Sequence, residues 1–194
     1  MKNLCDIVIY ILLGFIPLAS CNNTSPENKK VELPTSRVLE IESEYDKLKS
    51  QTEIEEQNIE VVKKWLLEIN KDNFVELFDE LWSDSCRQYF NSSTEPVEYD
   101  DFKQMIFNMY REYPVIEHRI HDMIACGDKV AAKFSASVVH DTTMFGAPPT
   151  GKEIEWSAIA IFQLSNGKIQ NRWEITDLLG MYEQLGMELQ LSKR

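Results

Sequence analysis

Basic residues are scarce in this sequence, and the shortage excludes one class of partner. The chain has 20 Lys and Arg residues against 32 Asp and Glu residues, which gives a formal net charge of −12 at pH 7. Nucleic acids and anionic lipid surfaces are bound by clusters of Lys and Arg. We therefore expect no nucleic acid among the partners of this protein.

Histidine and cysteine, which are common zinc ligands, are also few. The sequence contains three His and four Cys residues, and none of them shows the spacing of a metal site. We therefore expect no bound metal. Beyond the N-terminal segment only Cys86 and Cys126 remain. The sequence leaves open whether these two form a disulfide or stay free, and Cys86 is predicted to lie in a loop.

The N-terminus carries an apolar run from Ile7 to Ile16, which is too short for a membrane-spanning helix. It ends in Leu18-Ala19-Ser20-Cys21, a pattern typical of a bacterial lipobox. The pattern predicts that residues 1–20 are a signal peptide and that Cys21 is lipidated and anchors the protein to a membrane. An uncleaved signal anchor, or cleavage nearby without lipidation, is the alternative. Because Asn22 follows the cysteine, we expect an outer-membrane protein facing the periplasm or the cell surface.

The rest of the chain divides into a spacer, one compact domain and a short tail. Residues 21–56 are polar, and their second half is charged with a thin apolar stripe typical of an exposed helix. Coiled-coil association of that helix is a further alternative. The domain is predicted to span 57–188, and residues 189–194 form a C-terminal tail.

Within the domain, the period of the apolar residues changes once. Helical spacing predicts three amphipathic helices between residues 57 and 113, and strict alternation then predicts four strands between 116 and 176. A last short helix is expected over 178–185. This order indicates an α+β fold in which a curved antiparallel β-sheet carries the N-terminal helices on its concave face. Such a cone encloses a central pocket suited to a small, partly apolar molecule.

The segment FGAPPTGKEIEWSAIAIFQLSNGKIQNRWEITDLLGMYEQLG, Phe145–Gly186, carries a resemblance. Together with CGDKVAAKF, Cys126–Phe134, it resembles the SnoaL-like polyketide cyclase and ester cyclase family, which has the nuclear-transport-factor-like cone fold. The resemblance implies cyclisation of a polyketide ester by acid–base chemistry without metal or organic cofactor. It also implies that Asp177 is the general base, and that the protein forms a homodimer through its sheet.

Strand alternation gives a second reason to consider Asp177. In the last strand Ile169, Asn171, Trp173 and Ile175 share one face. The polar or charged residues share the other face, namely Gln170, Arg172, Glu174 and Thr176. The apolar face is expected to line the pocket, so Asn171, Trp173 and Asp177 are predicted to point into it. Relatives often carry an acid at the position of Asn171, and an amide cannot replace it as a base. The alternative for Asp177 is an N-cap of the last helix.

Three further residues are candidates for substrate binding. His140 and His118 fall on the inward parity of their strands, and Trp156 lies among apolar residues of the third predicted strand. Each has a structural alternative, as a hydrogen-bonded core histidine or as a core-filling ring. The leading interpretation is an enzyme related to ester cyclases. The alternative is a non-catalytic domain that binds a small ligand or another protein.

Overall fold

The first helix of the computed structural model, which describes residues 34–188, is also its longest. Helix α1 spans Thr35–Glu68 without a break. Its side chains are exposed up to residue 54, and the buried residues begin at Asn58. The predicted signal peptide, the lipidation site Cys21 and the tail from residue 189 lie outside the described residues. No helix within residues 34–188 combines the length and hydrophobicity needed to cross a membrane.

Two shorter helices pack with the end of α1, and both follow the predicted spacing. Helix α2 spans Phe74–Leu81 and buries Leu77, Phe78 and Leu81. Helix α3 spans Tyr99–Glu112 and buries Phe102, Ile106 and Tyr110, which recur every four residues. Pro114 follows two residues after the end of α3, and it cannot extend the helix because it lacks a backbone N–H.

The six strands form one curved, unclosed sheet with these helices on one face, which confirms the predicted α+β fold. The strands are β1 (Trp82–Phe90), β2 (Val97–Glu98), β3 (Glu117–Cys126), β4 (Lys129–Val139), β5 (Glu153–Ser165) and β6 (Lys168–Thr176), in the spatial order β2-β1-β6-β5-β4-β3. Strands β3 to β6 are antiparallel neighbours, as alternation predicts. Helix α4 (Leu178–Gln184) follows β6 directly.

Strand β1 is the longer of the two strands that the sequence did not reveal, the other being β2. Its sequence, WSDSCRQYF, contains polar and apolar residues without clean alternation, and its burial is correspondingly irregular. It pairs parallel with β6, so the sheet is mixed and the expectation of a purely antiparallel sheet is wrong at this edge. This pairing brings Cys86 and Gln88, which are both buried, into the centre of the structure.

An aromatic cluster fills the space between the helices and the sheet. Trp65, Phe78, Trp82 and Phe102 are almost fully buried. Their ring centroids lie 4.9–5.8 Å apart, mostly in edge-to-face or tilted arrangements. Such pairs contribute about 0.5–1.5 kcal/mol each beyond the burial of their surface. The cluster therefore fixes α1, α2 and α3 against β1.

Two β-bulges interrupt the alternation of the strands. In β3 the pairing shifts between Ile120 and Asp122, so Met123 rather than Ile124 turns inward, and Ile124 is 65% exposed. In β6 the partner of Leu164 is Ile169 and the partner of Gln163 is Asn171, which leaves Gln170 as the extra residue. A bulge of one residue reverses the face of every residue that follows it.

The two thiols of the described chain are free. Cys86 lies in β1 rather than in the predicted loop, and Cys126 ends β3, with three strands between theirs in the sheet. This separation excludes a disulfide between them in the folded state. Burial raises the pKa of the Cys86 thiol to about 11, whereas Cys126 is exposed.

We therefore expect the thiols of Cys86 and Cys126 to react at very different rates with an alkylating reagent. At pH 8 only about one Cys86 thiol in a thousand is ionised, so iodoacetamide should label Cys126 in the native protein and label Cys86 only after denaturation. Peptide mass spectrometry of native and urea-treated samples measures both sites. Equal labelling of the two thiols in the native protein, or a disulfide-linked peptide, would contradict this arrangement.

Candidate functional site

A small cavity lies between the sheet and helices α1 and α3. Its volume is about 100 Å³. Its walls are mainly apolar and aromatic, and its lining also includes the polar side chains of His118 from β3 and of Arg172 and Glu174 from β6. The other lining residues include Trp65, Leu66, Ile69, Phe90, Met105, Ile106, Met109, Tyr110, Phe134, Ala136 and Trp156.

The bulge at Gln170 is what turns Arg172 and Glu174 into this cavity. After the bulge, Arg172 pairs with Phe162 and Glu174 pairs with Ala160. Directly paired residues of neighbouring strands point to the same face of a sheet. Because Phe162 and Ala160 are completely buried, the two charged residues share the core face.

Arg172 is held in an aromatic cage. Its guanidinium carbon lies 5.1 Å from the ring centroid of Phe102 and 5.5–5.8 Å from those of Trp82, Phe90 and Phe162. Its Nε atom donates a short hydrogen bond to Oε1 of Gln88. Burial lowers the pKa of Arg172, and the carboxylate of Glu174 opposes that shift. The guanidinium remains a cation, because an arginine keeps its proton even when buried.

Glu174 is fixed by two contacts. One carboxylate oxygen lies 3.3 Å from Nη2 of Arg172, and the other accepts a hydrogen bond of 3.1 Å from the hydroxyl of Thr176. The side chains of Arg172 and Glu174 are only 7% and 12% exposed. The carboxylate is therefore held in one orientation and mostly shielded from solvent, on the wall of a cavity.

His118 supplies the third polar group. It points inward from β3, as predicted, and pairs with Ala136 on β4. Burial, with a smaller contribution from the positive charge of Arg172, lowers the pKa of His118 to about 4. The imidazole is therefore uncharged at neutral pH, and one of its nitrogens donates a hydrogen bond while the other accepts one.

Asp177 lies outside the cavity, so the prediction that it points into the pocket is wrong. Its side chain is exposed, and its Oδ1 atom accepts a hydrogen bond of 2.9 Å from the backbone N–H of Gly180. It is thus the N-cap of α4, the alternative that the sequence offered. A Cβ atom at position 180 would lie 2.4 Å from Oδ2 of Asp177, so glycine at this position allows the close approach.

Asn171 and Trp173 also lie on the other face of the sheet, and the prediction of their inward orientation is wrong. Trp173 pairs with Ile161, is 39% exposed and stacks on Tyr89 with ring centroids 5.6 Å apart. The amide of Asn171 donates a hydrogen bond of 2.9 Å to Gln163. The reason for both errors is the bulge at Gln170, which reverses the parity on which the prediction rested.

The remaining candidates divide between the cavity and a loop. Trp156 lines the cavity, as predicted. His140 is completely buried but is not among the lining residues; its Nδ1 atom lies 3.0 Å from the hydroxyl of Thr150. Its backbone also binds the loop at Thr150, Gly151 and Lys152, so it joins the two ends of that loop. Within residues 34–188 no group of three metal-ligating side chains comes together.

The sequence does not indicate Arg172, Glu174 or Gln88 as site residues. Strand alternation predicts the solvent face for Arg172 and Glu174, and the segment around Gln88 lacks the alternation of a strand. The sequence does contain one indication of the ion pair, because opposite charges two residues apart in a strand project from the same face and can contact each other. Together these residues place a carboxylate, a cation and a neutral imidazole around an apolar space. That arrangement can remove a proton from carbon and stabilise the oxyanion that forms.

Solved structures with the same fold are numerous but distant in sequence. IdmH from Streptomyces antibioticus is 20% identical, with 68% of this chain and 99% of that chain covered and a TM-score of 0.58. TsrD from Streptomyces laurentii is 21% identical, with coverages of 68% and 96% and a TM-score of 0.58. A phenazine biosynthesis-related protein from Pseudomonas aeruginosa is 15% identical, with coverages of 76% and 96% and a TM-score of 0.60. At these identities the likeness shows the fold alone.

No curated protein matches the chain. The family assignment comes instead from a family model described as SnoaL-like polyketide cyclase, which matches residues 60–185. The match begins in the buried half of α1, includes every strand and ends directly after α4. Because the matched segment is more than half of the chain and coincides with the cone-shaped domain, the protein belongs to the SnoaL-like polyketide cyclase family.

Proposed function

We propose that this protein catalyses acid–base chemistry on a small, partly apolar carbonyl compound, with Glu174 as the general base. The observation that carries the proposal is the Arg172–Glu174 ion pair on the wall of an otherwise apolar cavity. Membership of a family described by cyclase activity supports the reaction class. The proposal replaces Asp177 with Glu174, because Asp177 lies outside the cavity.

The energetics of the ion pair support a functional role. A buried ion pair is poor evidence for stability, since apolar residues of similar volume often stabilise a protein equally well. The cost of desolvating both charges is therefore offset only in part by their attraction. An ion pair beside a cavity can contact a bound ligand. Ionisable groups with perturbed pKa values in cavities are typical of active sites.

The geometry supports one elementary step. The carboxylate of Glu174 removes a proton from the carbon next to a carbonyl group, the C–H bond breaks, and its electron pair moves to the carbonyl oxygen. Arg172 stabilises the resulting enolate by its charge, and the neutral imidazole of His118 donates a hydrogen bond. In a cyclisation the enolate carbon then attacks a second carbonyl carbon of the same molecule and forms a new C–C bond, the π bond of that carbonyl breaks, and its oxygen takes back the proton held by Glu174.

The size of the cavity restricts the substrate. At about 100 Å³ it is smaller than an engineered cavity of about 150 Å³ that accepts benzene in another protein. A compound with one small ring is therefore near the upper limit in this conformation. Larger, multi-ring compounds require α3 to move away from the sheet, since α3 contributes the methionines Met105 and Met109 to the cavity wall.

A binding role without catalysis is the second candidate, and the contacts of Arg172 favour it. The aromatic cage and Gln88 hold the guanidinium rigidly, and the ion pair makes the polar wall electrically neutral overall. A wall of this kind suits the recognition of a neutral ligand that carries one carbonyl oxygen. The two candidates share the ligand and differ in whether Glu174 transfers a proton.

The place of action is also part of the proposal. The lipobox-like segment ending in Cys21 supports an exported protein anchored to a membrane of the cell envelope, with the domain facing the periplasm or the cell surface. The exposed part of α1 then serves as a spacer between the anchor and the domain. Replacement of Cys21 by Ser should release the protein from the membrane fraction, and a variant that stays there would contradict the anchor.

Proton transfer by Glu174 can be measured without knowledge of the natural substrate. The protein should accelerate exchange of α-hydrogens for deuterium in single-ring ketones such as cyclohexanone, followed by proton NMR in D₂O. Glu174→Gln should reduce the enzymatic rate about 10²- to 10⁴-fold, because the amide cannot accept the proton. Asp177→Asn is the matched control and should keep the wild-type rate.

Three outcomes would contradict the assignment of Glu174 as the catalytic base. Equal exchange rates with the wild-type protein and with Glu174→Gln would exclude Glu174 as the base. Loss of exchange in Asp177→Asn, with circular dichroism showing an intact fold, would return the role of base to Asp177. Binding of the ketone to Glu174→Gln without any exchange by the wild-type protein would favour the binding candidate.

The lowered pKa of His118 predicts a specific loss of stability in acid. Between pH 6.5 and about 4 the unfolded chain binds a proton at His118 and the folded protein does not, so stability falls as the pH falls through this window. The full loss from this residue is about 3 kcal/mol. Urea unfolding at several pH values should show a smaller acid-dependent loss of stability for His118→Gln than for the wild-type protein. Identical dependence in wild type and His118→Gln would contradict the burial of a neutral imidazole.

A further inference from the structure

The exposed half of α1 carries an apolar stripe that the domain does not cover. The stripe consists of Val38, Ile41, Tyr45 and Leu48, which are 37%, 51%, 62% and 64% exposed. Their spacing of three, four and three residues places them at the a and d positions of a heptad repeat. We call this surface the α1 stripe.

The same heptad register continues into the part of α1 that is packed. Thr52 and Glu55 occupy the next a and d positions, and Ile59 and Val62 follow and contact the core. The turn between β3 and β4 covers the helix at Glu55, because the carboxylate of Glu55 accepts a hydrogen bond of 2.8 Å from the N–H of Gly127. The buried residues of the packed part, Asn58, Val62, Trp65 and Leu66, fall at the g, d, g and a positions, so the domain packs against the side of the helix next to the α1 stripe.

The charges beside the α1 stripe match those of a second copy in parallel orientation. In a parallel pair of helices the g position of one heptad faces the e position of the next heptad on the partner helix. This rule places Arg37 opposite Glu42 of the second copy, and Glu44 opposite Lys49 of the second copy. Both contacts are attractive, and each occurs twice in a symmetric pair. An antiparallel pair would instead place Glu44 opposite Glu44.

A membrane surface fits the α1 stripe less well than a second copy does. Residues 35–54 contain five acidic and three basic side chains. Helices that lie on anionic membranes carry an excess of Lys and Arg on the polar face. A parallel pair also brings both N-terminal ends to the same side, which suits two chains anchored through Cys21.

We propose that two copies of this protein associate through their α1 stripes as a short parallel coiled coil over residues 35–54. The segment is about 30 Å long. With only two apolar heptads, the association is weak and depends on concentration. This interface is separate from the sheet face that carries Trp173, and it does not depend on the catalytic proposal.

Disulfide trapping of the full-length chain tests the arrangement directly. Leu48→Cys puts a thiol at a d position, where two parallel helices bring identical residues together. Ser50→Cys is the matched control, because its position in the heptad faces away from the partner. Both are made in a Cys5→Ser, Cys126→Ser background and oxidised mildly with copper phenanthroline. We expect a disulfide-linked dimer with cysteine at position 48 and little with cysteine at position 50.

A charge exchange tests the orientation and register. Glu44→Lys, and separately Lys49→Glu, turns two attractive contacts of the Leu48→Cys dimer into repulsive ones and should weaken association about tenfold. The double exchange Glu44→Lys/Lys49→Glu restores both attractive contacts and should restore cross-linking. Circular dichroism of each variant establishes that the domain remains folded.

Three results would overturn the proposal. Equal cross-linking at positions 48 and 50 indicates random collision, and no cross-linking at position 48 indicates that the α1 stripes do not meet. A dimer that forms equally in all charge variants uses another surface, such as the sheet face at Trp173.

Discussion

One extra residue in β6 determines what this protein presents to its cavity. The bulge at Gln170 reverses the face of the sheet to which the later side chains of β6 point. Arg172 and Glu174 therefore face the core, and Trp173 lies on the exposed face. Once the two charges face inward, their burial must be compensated, because an isolated buried charge costs several kcal/mol. The ion pair, the hydrogen bond to Gln88 and the aromatic cage around the guanidinium supply that compensation.

The same constraint explains why β1 belongs to the site although it contributes no catalytic group. Its parallel pairing with β6 brings Gln88 to the Nε atom of Arg172 and Trp82 to the face of the guanidinium. The helices then complete the arrangement from the other side, with Phe102 of α3 as the nearest ring. Fold and site are therefore built from one interaction network, and the apolar cavity is the space that this network leaves beside Glu174 and His118.

The sequence predicts the architecture well and the site poorly, for a physical reason. Helical and alternating periods depend on many residues, so α2, α3 and strands β3 to β6 can be read from them. The orientation of a single side chain depends on its parity, and one bulge reverses it. The inward orientation of His118 and Trp156 is predicted correctly, because no bulge lies between either residue and the neighbouring apolar residues that indicate the inward face of its strand. Asn171, Trp173 and Asp177 follow the bulge at Gln170 and were misplaced.

The central claim is that a ligand occupies the cavity beside Arg172 and Glu174 and not the opposite face of the sheet. Intermolecular NOEs between bound cyclohexanone and methyl-labelled protein test it most directly. The account predicts NOEs to the methyl groups of Met105, Met109 and Ala136, which line the cavity. NOEs confined to Ile159 and Ile175, which are exposed on the other face near Asp177, would contradict it.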